Sequence, residues 1–236
     1  MIRAVFFDVD ATLVDFDASA LAALRELFGA AADYEAWLQL SAVHYPRYTS
    51  GELDFTAMRE ARMAEYLRLV GRPFEAETVR SAEQRRMDLL DASYALFDDV
   101  MDCLDQLRAD GFLLGLITNN DPEYQRRKLA QVRLADRFDV VLISGECGVA
   151  KPERAIFDLA RTRLGVSADE AVHVGDNLVT DVRGALDAGF AAVWLDRRSA
   201  HAELGVGRRV GAPVIASLAE LPGVLSGALR PADGVR

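Results

Sequence analysis

Five short apolar runs constrain this chain most: "IRAVFFD" at 2–8, "FLLGLIT" at 112–118, "DVVLIS" at 139–144, "AVHVGD" at 171–176 and "FAAVWL" at 190–195. Each has the length of a strand, and most are apolar without alternation, the pattern of strands covered on both faces. Between them lie segments with helical periodicity, at about 99–110, 122–134, 153–164 and 179–188. Strands alternating with helices specify a doubly wound parallel α/β sheet. A composition of 51% hydrophobic and 27% charged residues over 236 positions is enough to core one such domain and a smaller insert.

The stretch from 16 to 95 breaks the alternation. It contains no strand pattern and reads as about four amphipathic helices, among them "ASALAALRELF" and "FTAMREARMAEYLRLV". The expected organisation is an α/β core domain over 1–15 and 96–225, a helical cap domain over 16–95, and a disordered tail over 226–236. Ligands of open parallel sheets bind beyond the carboxyl ends of the strands, so a module inserted after the first strand is expected to cap the site.

Net charge and cysteine usage remove whole classes of function. The formal net charge is −10, and the basic clusters "QRRK" (125–128), "DRR" (196–198) and "GRR" (207–209) read as ordinary helix or loop faces, which argues against a nucleic acid polymer as partner. Cys103 and Cys147 stand far apart with no metal-ligand spacing, so neither a disulfide framework nor a zinc site is indicated. No apolar run approaches a membrane span and no secretory h-region precedes Asp8; the expectation is a cytoplasmic protein with no membrane partner.

Each apolar run gives way to polar residues: Asp8 and Asp10 after the first, then Thr118 with Asn119 and Asn120, then Lys151 before Pro152, then Asp176 and Asp181 in "GDNLVTD". Any one of these is ordinary turn or capping chemistry. Four strand ends furnished with acids, a hydroxyl and a lone lysine are a site. The strand period of two sends Asp8 and Asp10 roughly the same way, and paired carboxylates need a nearby cation. Oxygen donors without a neighbouring histidine suit a hard ion such as Mg²⁺. Arginine carries nearly all the positive charge, Lys128 and Lys151 being the only lysines. A lysine at 151 in so arginine-rich a chain suggests a compact charge set against a carboxylate and a phosphate, the alternative being a solvent-facing Lys-Pro turn.

"DVDATLVD", "LITNN", "AKPERAIF" and "VHVGDNLVTD", in this order, resemble the four motifs of the haloacid dehalogenase-like (HAD) hydrolase superfamily, in its branch with a helical cap and with likeness to pyrimidine 5′-nucleotidases. The resemblance covers about residues 1–200. It implies a Rossmann-like core in which Asp8 is the nucleophile that becomes an aspartyl phosphate and Asp10 the general acid and base. It further implies that Thr118 and the backbone N–H of Asn119 hold phosphate oxygens, and that Lys151 neutralises the phosphate and orients Asp8. Mg²⁺ would be held by Asp8, the backbone carbonyl of Asp10, and Asp176, with Asp181 in support.

The chain departs from the family at Ala11, where most members have glycine. Were φ positive there, alanine would cost on the order of 1 kcal/mol, without abolishing catalysis. Asp10 argues against dehalogenation, since the 2-haloacid dehalogenases replace it by an aromatic residue. A cap without lysine argues against the Schiff-base hydrolases and phosphomutases of the superfamily. A phosphomonoester phosphatase acting on a small phosphorylated metabolite remains, with a nucleoside monophosphate preferred over sugar phosphates or a biosynthetic intermediate, and a monomer or homodimer as the assembly. His44, Arg47 and Tyr48 in the cap are candidates for substrate contact, but packing explains them better; His173 reads as a core histidine. Of the competing readings, a receiver domain fits poorly in length and lacks a counterpart of the "GDNLVTD" element, while a catalytically silent HAD-like binding protein stays as the alternative of another class, against which the presence of Asp8, Asp10, Lys151 and Asp176 counts.

Overall fold

The computed structural model describes residues 1–197 and 211–227, which divide into two compact units: Met1–Asp15 with the chain from Leu96 onward, and Phe16–Ala95. Among these residues no helix is long and apolar enough to cross a membrane.

The first unit is built on a six-stranded sheet of β1 (Ala4–Phe7), β2 (Leu113–Thr118), β3 (Val140–Ile143), β4 (Ala171–Gly175), β5 (Ala191–Leu195) and β6 (Val214–Ile215). The order is β3-β2-β1-β4-β5-β6, every pair parallel. The order reverses at β1, which lies between β2 and β4, so the end of β1 is the switch point where such sheets bind ligands. All four β1 side chains are completely buried. Ala4 and Phe6 share a core with Phe157, Ala160, Val182 and Phe190, whereas Phe7, turned the other way by the pleat, meets Phe138 edge-on. An apolar run without alternation therefore marks a strand buried on both faces. The two-residue β6 was not apparent from the sequence; it is too short to show a period.

The helices of this unit include Val100–Ala109, Pro122–Gln131, Arg154–Leu164 and the closing Leu221–Gly227. Pro122–Gln131 is begun by its own chemistry: Asp121 accepts a hydrogen bond from the N–H of Tyr124 at 3.0 Å and Pro122 occupies the first turn. The segment expected as one helix over 179–188 is a π-helical turn, Leu178–Arg183, continued by the α-helical Gly184–Asp187. The tail expected to be disordered from 226 is corrected at Ser226 and Gly227, which end the closing helix; 228–236 and the "GRR" cluster lie outside the described residues.

The second unit consists of α1 (Phe16–Phe28), α2 (Tyr34–Thr49), α3 (Phe55–Leu69) and α4 (Ala76–Ser93). Asp33 and Asp54 cap α2 and α3 by accepting from the N–H groups of Ala36 and Ala57. Its core gathers Leu24, Phe28, Trp37, Met63 and Tyr66, with Trp37 and Phe28 edge-on to Tyr66 at 5.2 and 5.1 Å. The Tyr66 hydroxyl accepts from the N–H of Asp33 at 2.7 Å, so the aromatic centre also anchors the start of α2. His44, Arg47 and Tyr48 are used for packing within this unit. His44 is buried with Nε2 3.3 Å from Glu65, Arg47 pairs with Glu52 at 2.7 Å, and Tyr48 packs its ring on Phe55 at 5.2 Å.

After β1 the chain reverses in a tight turn: the N–H groups of Leu13 and Val14 both reach the carbonyl of Val9, and that of Ala11 reaches Val14. Ala11 has φ 59°, in the left-handed region. A Cβ there is unfavourable, so Ala11→Gly is expected to stabilise the protein by about 1 kcal/mol. Thermal unfolding is expected to shift upward by about 2–4 °C; an unchanged or lowered midpoint would contradict the strain at this turn.

Candidate active site

The motif residues converge at the carboxyl ends of β1, β2 and β4. Asp8 directly follows β1, its N–H bonded to the carbonyl of Val174 at 3.0 Å. Lys151, buried, places Nζ 2.6 Å from Asp8 Oδ1 and 2.6 Å from Asp181 Oδ1. The main chain of Lys151 is itself fixed by the Asn119 side chain, which accepts from its N–H at 2.8 Å and donates to its carbonyl at 2.7 Å. The residue after β2 thus aligns the lysine reached through β3.

Asp181 owes its position to the π-helical turn. The Asn177 side chain caps the N–H groups of Val179 and Thr180, and the wide turn carries Asp181 inward until it is 1% exposed. Its carboxylate accepts from the Asn177 N–H at 3.0 Å and faces His173 Nε2 at 3.1 Å. His173 is thus a core histidine with one nitrogen satisfied, holding Asp181, while its buried Nδ1 has no hydrogen-bond partner among the described residues. Gly175 makes the approach possible, since a Cβ there would lie 2.4 Å from Asp181 Cγ. Overpacking of this kind costs about 1–3 kcal/mol. Gly175→Ala is therefore expected to lower both the melting temperature and the hydrolytic rate, and an unperturbed variant would contradict the packing.

Carboxylate oxygens of Asp8, Asp176 and Asp181 lie within 4.8 Å of one another. One ammonium, that of Lys151, stands among three acids and bonds two of them, so ionisation of all three would leave two negative charges uncompensated. Burial, the charge of Asp181 and that of Asp10 push the Asp8 carboxyl up to about 7 against the pull of Lys151. Burial and the charges of Asp8 and Asp181 push Asp176 up to about 8. Burial also works against ionisation of Asp181, but Lys151 and His173 prevail and hold it well below the usual carboxylate range. Lys151, despite burial, is held above its ordinary value by Asp181 and Asp8. A hard divalent cation fits this donor set. Asp8 and Asp176 can offer oxygen to it, whereas the Asp181 carboxylate is already engaged by three groups.

The same charges predict a pH dependence. In the metal-free folded protein Asp8 and Asp176 retain protons until about pH 7 and 8, whereas the unfolded chain loses them near 3.8. The folded state binds more protons over that window, so its stability falls as pH rises through it. A cation takes the place of those protons. Saturating Mg²⁺ is expected to raise the melting temperature more at pH 8 than at pH 5.5; equal shifts at the two values would contradict the cluster's charge deficit.

Asp10 lies outside this cluster. Its Oδ1 is 2.5 Å from Lys128 Nζ, and its Oδ2 is 3.4 Å from Asn120 Nδ2. Lys128 is completely buried, and although burial opposes its charge, Asp10 and other neighbours hold its ammonium above the ordinary value. The expectation of an ordinary helix face for "QRRK" is corrected here, because the helix turns Lys128 inward while Arg126 pairs with Glu146. "DRR" is corrected too, since Arg197 donates to the Thr12 carbonyl at 2.8 Å and pairs with Asp99 at 2.9 Å. Thr118 ends β2 with its hydroxyl oxygen accepting from Gln125 Nε2 at 3.0 Å, which leaves the hydroxyl hydrogen for an anion. Thr12 Oγ1 lies 3.4 Å from Asp176 Oδ1. Thr12, Gln125 and Lys128 were not among the residues picked from sequence. The scarcity of lysine, applied to both of them, was the available signal.

This is the strand-end acid site of a hydrolase on a doubly wound sheet. The description "haloacid dehalogenase-like hydrolase" matches residues 2–189. The chain is 42% identical to the phosphoserine phosphatase of Thermus thermophilus over 127 residues, 51% of this chain and 51% of that protein, so that match spans about half of either. It is 36% identical to the glyceraldehyde 3-phosphate phosphatase of Methanopyrus kandleri over 200 residues, 84% of this chain and 85% of that protein. The pyrimidine 5′-nucleotidase YjjG of Escherichia coli is 28% identical over 201 residues, 81% of this chain and 85% of that protein. The fold is similar to that of the magnesium-bound HAD-hydrolase YfnB of Bacillus subtilis, with TM-score 0.78 and 23% identity over 95% of this chain and 99% of that one. The chain belongs to the haloacid dehalogenase-like hydrolases, and within them it is a phosphoric monoester hydrolase.

Proposed function

We propose that this protein hydrolyses a small phosphorylated metabolite through an aspartyl phosphate on Asp8, with Mg²⁺ bound beside it. The observation that carries this reading is Asp8 held at 2.6 Å by Lys151 within 4.8 Å reach of Asp176 and Asp181. With Oδ1 fixed by the ammonium, Oδ2 of Asp8 is the oxygen that attacks phosphorus. The P–O bond to the leaving group breaks as Asp10 gives that oxygen a proton. Water then attacks phosphorus, Asp10 takes its proton, and the bond to Asp8 is cleaved. Thr118, the backbone N–H of Asn119 and Lys151 hold the phosphoryl oxygens. Asp8, the Asp10 carbonyl and Asp176 would hold the metal, with Asp181 in support. The bound ion supplies charge neutralisation at the phosphoryl group, which together with placement accounts for most of the catalysis in such transfers.

The substrate class is a nucleoside monophosphate, a reading supported by the likeness to the E. coli pyrimidine 5′-nucleotidase and by a residue other than glycine at position 11. A second reading, a small sugar phosphate, is favoured by the 36% identity to a glyceraldehyde 3-phosphate phosphatase. Release of inorganic phosphate from a panel of nucleoside monophosphates, triose and hexose phosphates separates the two. The expected result is turnover that EDTA abolishes and that Asp8→Asn lowers by at least about 10³-fold, with a nucleoside monophosphate giving the highest kcat/KM. Preference for a sugar phosphate overturns the substrate assignment alone; activity retained in Asp8→Asn overturns the mechanism.

A further inference from the structure

Lys128 is a completely buried lysine that the phosphoryl-transfer scheme above does not use. It belongs to Pro122–Gln131, one turn beyond Gln125, so both project from the same side of the helix. Gln125 is also completely buried. Its amide spans two other site residues, donating to Thr118 Oγ1 at 3.0 Å and accepting from Asn120 Nδ2 at 2.9 Å. Asn120 in turn lies against Asp10 Oδ2, while Lys128 takes Asp10 Oδ1. One helix thus ties the phosphate-binding hydroxyl to the residue that moves protons.

The two contacts on Asp10 are unequal. The ammonium contact at 2.5 Å is a short charge-assisted bond, whereas the amide contact at 3.4 Å is near the limit of a hydrogen bond. Oδ1 is committed and Oδ2 is loosely held. Burying an ammonium is costly unless it is well paired, and the Tyr124 ring, its centroid 4.7 Å from Nζ, gives Lys128 further support. A cation so placed on a carboxylate that is 29% exposed acts on that carboxylate's direction more than on packing.

We infer that Lys128 is the positioning residue of Asp10: it pins Oδ1 and so presents Oδ2 as the oxygen that exchanges protons with the leaving group and with water. This rests on the proposed role of Asp10 and deepens it. Nothing in the sequence motifs assigns Lys128 a part, and its counterpart Lys151 does the analogous work on Asp8, so each of the only two lysines in the chain fixes one of the paired acids.

The test compares two esters that need Asp10 to different degrees. An alkyl phosphate requires protonation of its leaving oxygen, whereas p-nitrophenyl phosphate expels a stable phenolate without it. In the Mg²⁺-loaded protein, Lys128→Met is expected to lower kcat/KM for the alkyl ester by about 100-fold and for p-nitrophenyl phosphate by less than about 3-fold. In an Asp10→Asn background the same substitution is expected to add nothing on either ester. Lys128→Gln serves the same comparison if the methionine variant does not fold. Equal losses on the two esters, or a full further loss in the Asp10→Asn background, would overturn the positioning role. Failure of the unmutated protein to hydrolyse either ester, or full activity in Asp8→Asn, would instead overturn the phosphatase mechanism and this inference with it.

Discussion

The ammonium of Lys151, shared at 2.6 Å between Asp8 and Asp181, is the contact on which the site depends. Without it one buried and two half-buried acids would stand in one cluster with no counter-charge, and ionisation of more than one would be costly. With it, Asp181 is ionised and spent on structure, while Asp8 and Asp176 remain short of positive charge. The deficit, more than any single ligand distance, makes the site receptive to a divalent ion and then to a phosphoryl group. Much of the surrounding chemistry serves that lysine: Asn119 clamps its main chain, His173 turns Asp181 toward it, and Gly175 provides the space in which Asp181 can stand.

The paired acids of the first motif are handled separately. Asp8 looks to the β4 side and to Lys151, Asp10 to the β2 side and to Lys128. This division bears on the problem posed by two carboxylates two residues apart: Asp10 has the ammonium of Lys128, while Asp8 shares that of Lys151 with Asp181. On the proposed mechanism it also separates their work, since the acid proposed to bond to phosphorus and the acid proposed to move protons are steered by different elements. The sheet order makes it possible, because β1 has β2 on one edge and β4 on the other.

Strand ends were legible in the sequence because a parallel sheet covered on both faces writes unbroken apolar runs, and the polar residue that ends each run is conspicuous. Asp8, Thr118, Lys151 and Asp176 were therefore visible as a set. Lys128 was not, because in "QRRK" it looks like its arginine neighbours, and helical periodicity alone does not say which of four adjacent polar residues turns inward. The π-helical turn was also hidden: one extra residue in a turn leaves no compositional trace, although it is what brings Asp181 inward. The strain at Ala11 was legible as a condition, and φ 59° supplies the value that decides it.

The isolated bridge between Val14 and Leu96 has a consequence for how the chain reaches its native state. β1 pairs with β2 across an insert of 80 residues, Phe16–Ala95. A flexible loop of that length costs about 2–3 kcal/mol more to close than a tight connection of a few residues. The insert has its own apolar centre and capped helices, and the bridge joins the two strands of chain that enter and leave it. Once the four helices are formed, the long excursion behaves as a short one, and the nucleation of the central strand pair is relieved of most of that entropy. The helical insert is thus a topological spacer: once folded, it lets β1 and β2, separated by more than a hundred residues, meet as if the chain between them were short.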